Sequence, residues 1–128
     1  MSLRCLDSSG WIEIFHNGPN AKVFLVAMAK PSSVIVSTIS LYEVWKYTAL
    51  HADEQRASQI VDFMRQSCVV SVDPEIAIHA AALSLESKLP MADSIIYATT
   101  LARNATLWTQ DNHFEGLPDV RYFPKIKA

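Results

Sequence analysis

The sequence predicts an α/β fold in which a mainly parallel sheet is covered on both faces by helices. Two observations carry that prediction. Short apolar runs at Leu3–Leu6, Val34–Val36, Cys68–Val70 and Leu107–Thr109 alternate with longer stretches of helical spacing. Those runs show no polar alternation, which is the composition of strands buried on both faces. The chain has 128 residues, half of them hydrophobic and 19% charged, enough apolar material for one domain with a real core. No repeat, low-complexity segment or linker divides it, so residues 1–128 are expected to form a single domain.

Taken in order, Leu3–Leu6 is the first strand, with Asp7 at its carboxyl end. Ser8 or Ser9 caps a helix on which Trp11, Ile14 and Phe15 share a face. Gly18-Pro19-Asn20 breaks that helix, and Ala21–Lys30 is the next, with Val23, Phe24 and Ala27 on one side. A turn at Pro31–Ser33 leads into the β-branched run Val34–Val36. Ser37–Leu50 reads as an apolar-rich helix containing Glu43. His51–Glu54 opens another, whose apolar face is Ala57, Ile60, Val61 and Met64. After the strand Cys68–Val70, Asp73 followed by Pro74 starts a helix that runs to Lys88. Pro90 starts one more, carrying Asp93, Ile96, Tyr97, Thr100 and Leu101 along one stripe. Leu107–Thr109 is a buried strand ending just before Asp111. A turn at Gly116–Pro118, an edge strand at Val120–Phe123 and a loose tail from Pro124 complete the chain.

Composition removes several function classes. Eleven Lys and Arg against 13 Asp and Glu leave a net charge of −2, without the basic footprint of a tight DNA binder. Cys5 and Cys68 have no metal or redox spacing and read as reduced core thiols of a cytoplasmic protein. No signal segment opens the sequence, and no apolar run approaches the ~20 residues of a membrane span. The four histidines, His16, His51, His79 and His113, lack zinc spacing. The glycines stand only at 10, 18 and 116, so no phosphate-cradling loop exists. His113 lies two residues from Asp111 and within reach of the same pocket.

Four acids stand out. Asp7 and Asp111 follow strands, and ligands of parallel sheets bind at the carboxyl ends of strands. Asp7 has a second reading as the N-cap of the next helix, although Ser8 and Ser9 can cap as well. Asp93 lies inside the first turn of its helix and on the apolar stripe, where a simple cap would not be. Glu43 has Ile39, Tyr47 and Leu50 as helical neighbours; its alternative is an exposed pair with Lys46. Asp111 has a plainer reading as a turn residue beside Asn112. Two like charges ~4 Å apart repel by about 4 kcal/mol at an effective dielectric of 20. A cluster of them therefore needs protons, cationic partners or a metal, and hard oxygen ligands select Mg²⁺ or Mn²⁺. Asp53, Glu54, Asp62, Asp73, Glu75, Glu86, Glu115 and Asp119 sit in polar or capping contexts, and Glu13 lies opposite the apolar residues of its helix.

Four segments stand out: Leu6-Asp7-Ser8-Ser9, Ser40-Leu41-Tyr42-Glu43-Val44, Leu89–Thr99 with its Pro-Met-Ala-Asp core, and Thr109-Gln110-Asp111-Asn112-His113-Phe114. Together they resemble the PIN-domain ribonucleases, and among them the VapC-like toxins of toxin–antitoxin pairs. They follow the family's order and spacing and span nearly the whole chain. The resemblance implies a three-layer α/β/α sandwich and Mg²⁺- or Mn²⁺-dependent endoribonuclease activity. Asp7, Glu43, Asp93 and Asp111 would form the acidic quartet, supported by the hydroxyls of Ser8 and Thr109. It further implies a small antitoxin blocking the pocket, and a homodimer. Trp108 is bulkier than is usual there, and the mildly acidic surface is unlike an RNA binder's.

The expected chemistry is hydrolysis of RNA phosphodiester bonds. Asp7, Asp93 and Asp111 hold one metal or two, and Glu43 either completes the metal shell or orients water as general base. Lys46, Arg65 and Lys88 are candidate substrate contacts. Two other readings compete: an inactive domain whose acidic pocket takes a basic peptide, and a phosphatase with Asp7 as nucleophile. The second wants an acid two residues on, where this chain has Ser9.

Overall fold

Successive strand residues feed two separate cores. Strands β1 (Arg4–Leu6), β2 (Val34–Ser37), β3 (Cys68–Val70), β4 (Thr106–Thr109) and β5 (Val120–Tyr122) form one sheet in a computed structural model describing residues 2–127. Cys5, Ile35 and Leu107 point to one face; their neighbours Leu6, Val34, Val36 and Trp108 point to the other. Alternation of side chains along a strand makes this division automatic, and a slip of one residue would exchange the two sets.

Six helices cover the faces: α1 (Ser8–Phe15), α2 (Ala21–Ala27), α3 (Thr38–His51), α4 (Glu54–Met64), α5 (Pro74–Ser87) and α6 (Met91–Ala102). Ile76, Ala80 and Leu83 of α5 and Ile96, Tyr97 and Ala98 of α6 build the first core. Trp11, Phe24, Val44, Ile60 and Met64, from α1 to α4, build the second. The result is the α/β/α sandwich.

All four strand pairings are parallel, and the order is β3-β2-β1-β4-β5. The chain lays down β1, β2 and β3 in one direction, then returns to place β4 on the free side of β1. The order therefore reverses between β1 and β4, where parallel sheets open a crevice at their carboxyl edge. Strand β5 is reached through residues 110–119, with one 3-10 turn at Asn112–Phe114 in place of a crossover helix. Phe114 is fully buried against the first core and anchors that turn.

Several local expectations change. Asp7, not Ser8 or Ser9, caps α1, accepting from the Gly10 N–H at 3.0 Å. The second helix stops at Ala27, and Pro31–Ser33 forms a 3-10 turn. His51 ends α3, and Asp53 caps α4. Cys5 is a core thiol, whereas Cys68 is exposed because β3 is an edge strand. The apolar neighbours Tyr47 and Leu50 of Glu43 are also exposed, Leu50 by 78%. Trp108 is only 6% exposed and packs on Phe123, with the Arg121 guanidinium 4.4 Å from its ring centre, so its bulk is absorbed in the core. Among the described residues no helix is long and apolar enough to cross a membrane.

Candidate active site

The crevice at the strand reversal is where the acids gather. Asp7 follows β1, Asp111 follows β4 and caps the 3-10 turn, and Asp93 lies in the first turn of α6. A helix running back along a parallel sheet starts at the carboxyl edge of the strands, so α6 delivers Asp93 to the same rim. There a helix N-terminus favours negative charge.

Asp7 is buried, 2% exposed, and its carboxylate is fully engaged. Ser9 Oγ straddles both oxygens at 2.8 and 2.9 Å. The Thr109 hydroxyl donates to Oδ2 at 2.6 Å. Thr109 Oγ1 in turn accepts the Asp111 N–H at 2.9 Å, which ties the first acid to the last. Burial pushes the Asp7 carboxyl up to about 7 against these donors, and the charge of Asp111 adds to the rise.

Asp93 and Asp111 meet around one imidazole. His113 Nδ1 lies 3.0 Å from Asp93 Oδ2 and 3.0 Å from Asp111 Oδ1. Asp93 is raised to about 6, first by burial and then by the charge of Asp111, with His113 opposing. Glu43 contributes a smaller push on Asp93, which places its charge in the same field. Ser8 Oγ donates to Glu43 Oε1 at 2.6 Å, with Ser40 Oγ 3.2 Å away. The two serines after Asp7 thus divide: Ser9 serves Asp7 and Ser8 serves Glu43.

The donor set suits a divalent cation. One ligand atom from each of Asp93, Asp111 and His113 lies within 4.8 Å of the others, an oxygen-rich group with one imidazole. Asp7 stands outside that trio and reaches it through Thr109. Like-charged carboxylates held this close call for a positive partner, which the His113 nitrogen or a metal can supply.

Some participants have roles that the sequence alone does not assign. Ser9, a cap candidate by sequence, instead binds the Asp7 carboxylate, and a hydroxyl two residues after an acid at a helix start is a recognisable cue. His113 was placed within reach but outside the quartet. Glu13, read as lying opposite the core, accepts from the Asn20 N–H at 2.7 Å and from Gln110 Nε2 at 3.2 Å. Asn20 Nδ2 donates to Gln110 Oε1 at 3.1 Å, so this network clamps the end of β4 next to Asp111. Of the three proposed cationic contacts, Lys46 borders a cavity with Glu43. Lys88 caps the end of α5, three residues before α6 begins, and so lies toward the acid rim. Arg65 follows α4 just before β3, at the amino edge of the sheet, which removes it from that rim.

The PIN domain family matches residues 4–120. The chain belongs to the PIN domain family. Among solved structures, this PIN domain is similar to a chain of a toxin–antitoxin complex from Klebsiella pneumoniae. The TM-score is 0.80 at 27% identity, covering 96% of this chain and 99% of that one. VapC20 of Mycobacterium tuberculosis, described as a sarcin–ricin loop cleaving toxin, matches with a TM-score of 0.76 at 15% identity over 90% of this chain and 95% of that one. A chain of the VapBC2 complex of Rickettsia felis gives 0.74 at 17% identity, covering 97% and 99%. At those two identities the likeness shows the fold. No curated protein matches the sequence.

Proposed function

We propose that this PIN domain, residues 1–128 as one unit, is a Mg²⁺- or Mn²⁺-dependent endoribonuclease and the toxin of a cytoplasmic toxin–antitoxin pair. The observation that carries the reading is the meeting of Asp93, Asp111 and His113 at the strand reversal, with Asp7 joined to them through Thr109. The Klebsiella chain, at 27% identity over nearly the whole length, comes from a toxin–antitoxin complex and supports the biological setting. The same reading includes a small antitoxin that covers the pocket, and a homodimer.

Asp93 and Asp111 would hold the metal, with Asp7 as the third acid. When bound, a divalent ion polarises the scissile phosphate and makes a nearby water easier to deprotonate. The remaining work falls to the chain. The Ser8 hydroxyl fixes Glu43 through Oε1, leaving Oε2 to accept a proton from the attacking water. Ser9 and Thr109 hold the Asp7 carboxylate in one orientation. A phosphatase with Asp7 as nucleophile is disfavoured, since that carboxylate is buried and hydrogen-bonded on both oxygens.

The test is a Mn²⁺ titration of chelator-treated protein while cleavage of a labelled structured RNA is followed. Cleavage should appear with the first equivalents and vanish on adding EDTA. Cleavage indifferent to chelation would remove the metal from the account, and no cleavage at any Mn²⁺ level would favour an inactive binding module.

A further inference from the structure

A polyanion approaching four carboxylates needs a cation beside them, and the segment after β5 carries one to that place. Two cavities flank the acid site. One, of about 450 Å³, is lined by Gln110, Asp111, Asn112, His113, Tyr122 and the tail residues Pro124 and Lys125. The other, of about 320 Å³, brings Ser9, Glu13 and Tyr47 together with Gln110 and Lys125. Both volumes fall in the range of small-ligand sites. Gln110 and Lys125 are common to the two, so Lys125 stands at their boundary.

The backbone just before Lys125 is held by polar contacts. Asn20, 4% exposed, donates from Nδ2 to the Pro124 carbonyl at 3.0 Å and to Gln110 at 3.1 Å. On the other side, the Phe123 N–H donates to the Thr109 carbonyl at 2.9 Å, and the Phe123 ring packs on Trp108 and Phe24. The tail expected to be loose is thus tied to the end of β4, two residues before Asp111. Lys125 is exposed, and among the described residues the ion pairs are those of His113, not of Lys125. Glu13, the acid in the smaller cavity, is already engaged by Asn20 and Gln110.

We propose that Lys125 is a phosphate-binding residue for single-stranded RNA, gripping the backbone where it passes between the two cavities, with one nucleoside on each side. The inference rests on the endoribonuclease reading and names a subsite of it. Tyr47 and Tyr122 give each cavity one aromatic ring of the kind on which bases stack. Lys127, two residues on, lines neither cavity and serves as the control.

The experiment measures anisotropy of a short fluorescein-labelled single-stranded RNA of mixed sequence, in EDTA to prevent cleavage, across a salt series. Loss of one phosphate contact should make the slope of log K against log salt shallower by about 0.7. Lys125→Ala should show that change and bind about fivefold to tenfold more weakly, Lys125→Arg should keep the slope, and Lys127→Ala should match the wild type. In Mn²⁺, Lys125→Ala should raise KM with kcat within about twofold, and its Mn²⁺ affinity should equal the wild type's. Wild-type RNA binding with an unchanged Lys125→Ala slope would overturn the subsite and leave the nuclease reading standing. If Lys125→Ala instead lost only affinity for an acidic peptide, the site would be a protein contact and the proposal would also fall. Failure of the wild type itself to bind this RNA would overturn the subsite, while the nuclease reading stands or falls on Mn²⁺-dependent cleavage of structured RNA.

Discussion

The hydroxyl of Thr109 donates to Asp7 at 2.6 Å, joining residues that lie 102 positions apart in the sequence. The same oxygen accepts the Asp111 N–H, so one side chain sets the spacing of two acids from adjacent strands. Thr109→Val keeps the shape but leaves a buried carboxylate short of a donor and an amide without its acceptor. A hydrogen bond to a charged group contributes about 1.5–3 kcal/mol, and Thr109→Val should lose stability of that order in urea denaturation at pH 8. Thr109→Ser should recover most of it. A wild-type urea midpoint in Thr109→Val would mean that the bond carries no weight.

Asp7 and Asp93 both titrate higher than ordinary carboxyls, to about 7 and about 6. In the metal-free protein the folded state therefore binds more protons than the unfolded chain between pH ~4 and 7. Stability from these groups is fully present below their unfolded pKa and is lost as pH rises through the folded values. The metal-free thermal midpoint should fall between pH 5 and pH 8. Saturating Mn²⁺ should restore it most at pH 8, because a metal competes with those protons. A metal-free midpoint that climbs over this range would contradict the raised values.

His113 touches both clustered acids through one nitrogen. If it belongs to the metal-binding group, directly or by orienting the carboxylates, His113→Ala should weaken Mn²⁺ by about 10- to 100-fold in calorimetric titration. An unchanged affinity would reduce it to a surface counter-charge.

Gly18 tests the clamp behind Asp111 without altering an acid. A Cβ at this position would overlap the Glu13 carboxylate and displace it from Asn20 and Gln110. Gly18→Ala should cost about 1–3 kcal/mol on the wild-type background and much less on Glu13→Ala, a coupling that a double-mutant cycle in urea reads directly. Equal costs on both backgrounds would mean that Glu13 is not the group disturbed.

Which parts were legible in the sequence follows from how far apart the interacting groups lie. The strands were plain because Val34–Val36 or Leu107–Thr109 is apolar on both faces, and Asp93 was plain because an acid interrupted a helical stripe. Asp73 was read correctly as a local cap, since a cap needs only the three residues after it. Glu43 was placed on an apolar stripe, yet Tyr47 and Leu50 of that stripe face outward; hydrophobic identity does not decide burial. The Glu13–Asn20–Gln110 network spans 90 and 97 positions, and no local pattern announces such a pairing. The anchored tail was missed for the same reason: the donor that holds Pro124 comes from Asn20.

The central claim is that the acids around Asp93 cleave RNA. The most direct measurement compares wild type with Asp93→Asn on a panel of end-labelled structured RNAs in Mn²⁺, after circular dichroism has shown that both are folded. The account predicts discrete internal cuts by the wild type and a rate at least about 100-fold lower for Asp93→Asn, the order expected when charge stabilisation at the reacting phosphate is removed. Equal rates for the two proteins would contradict it.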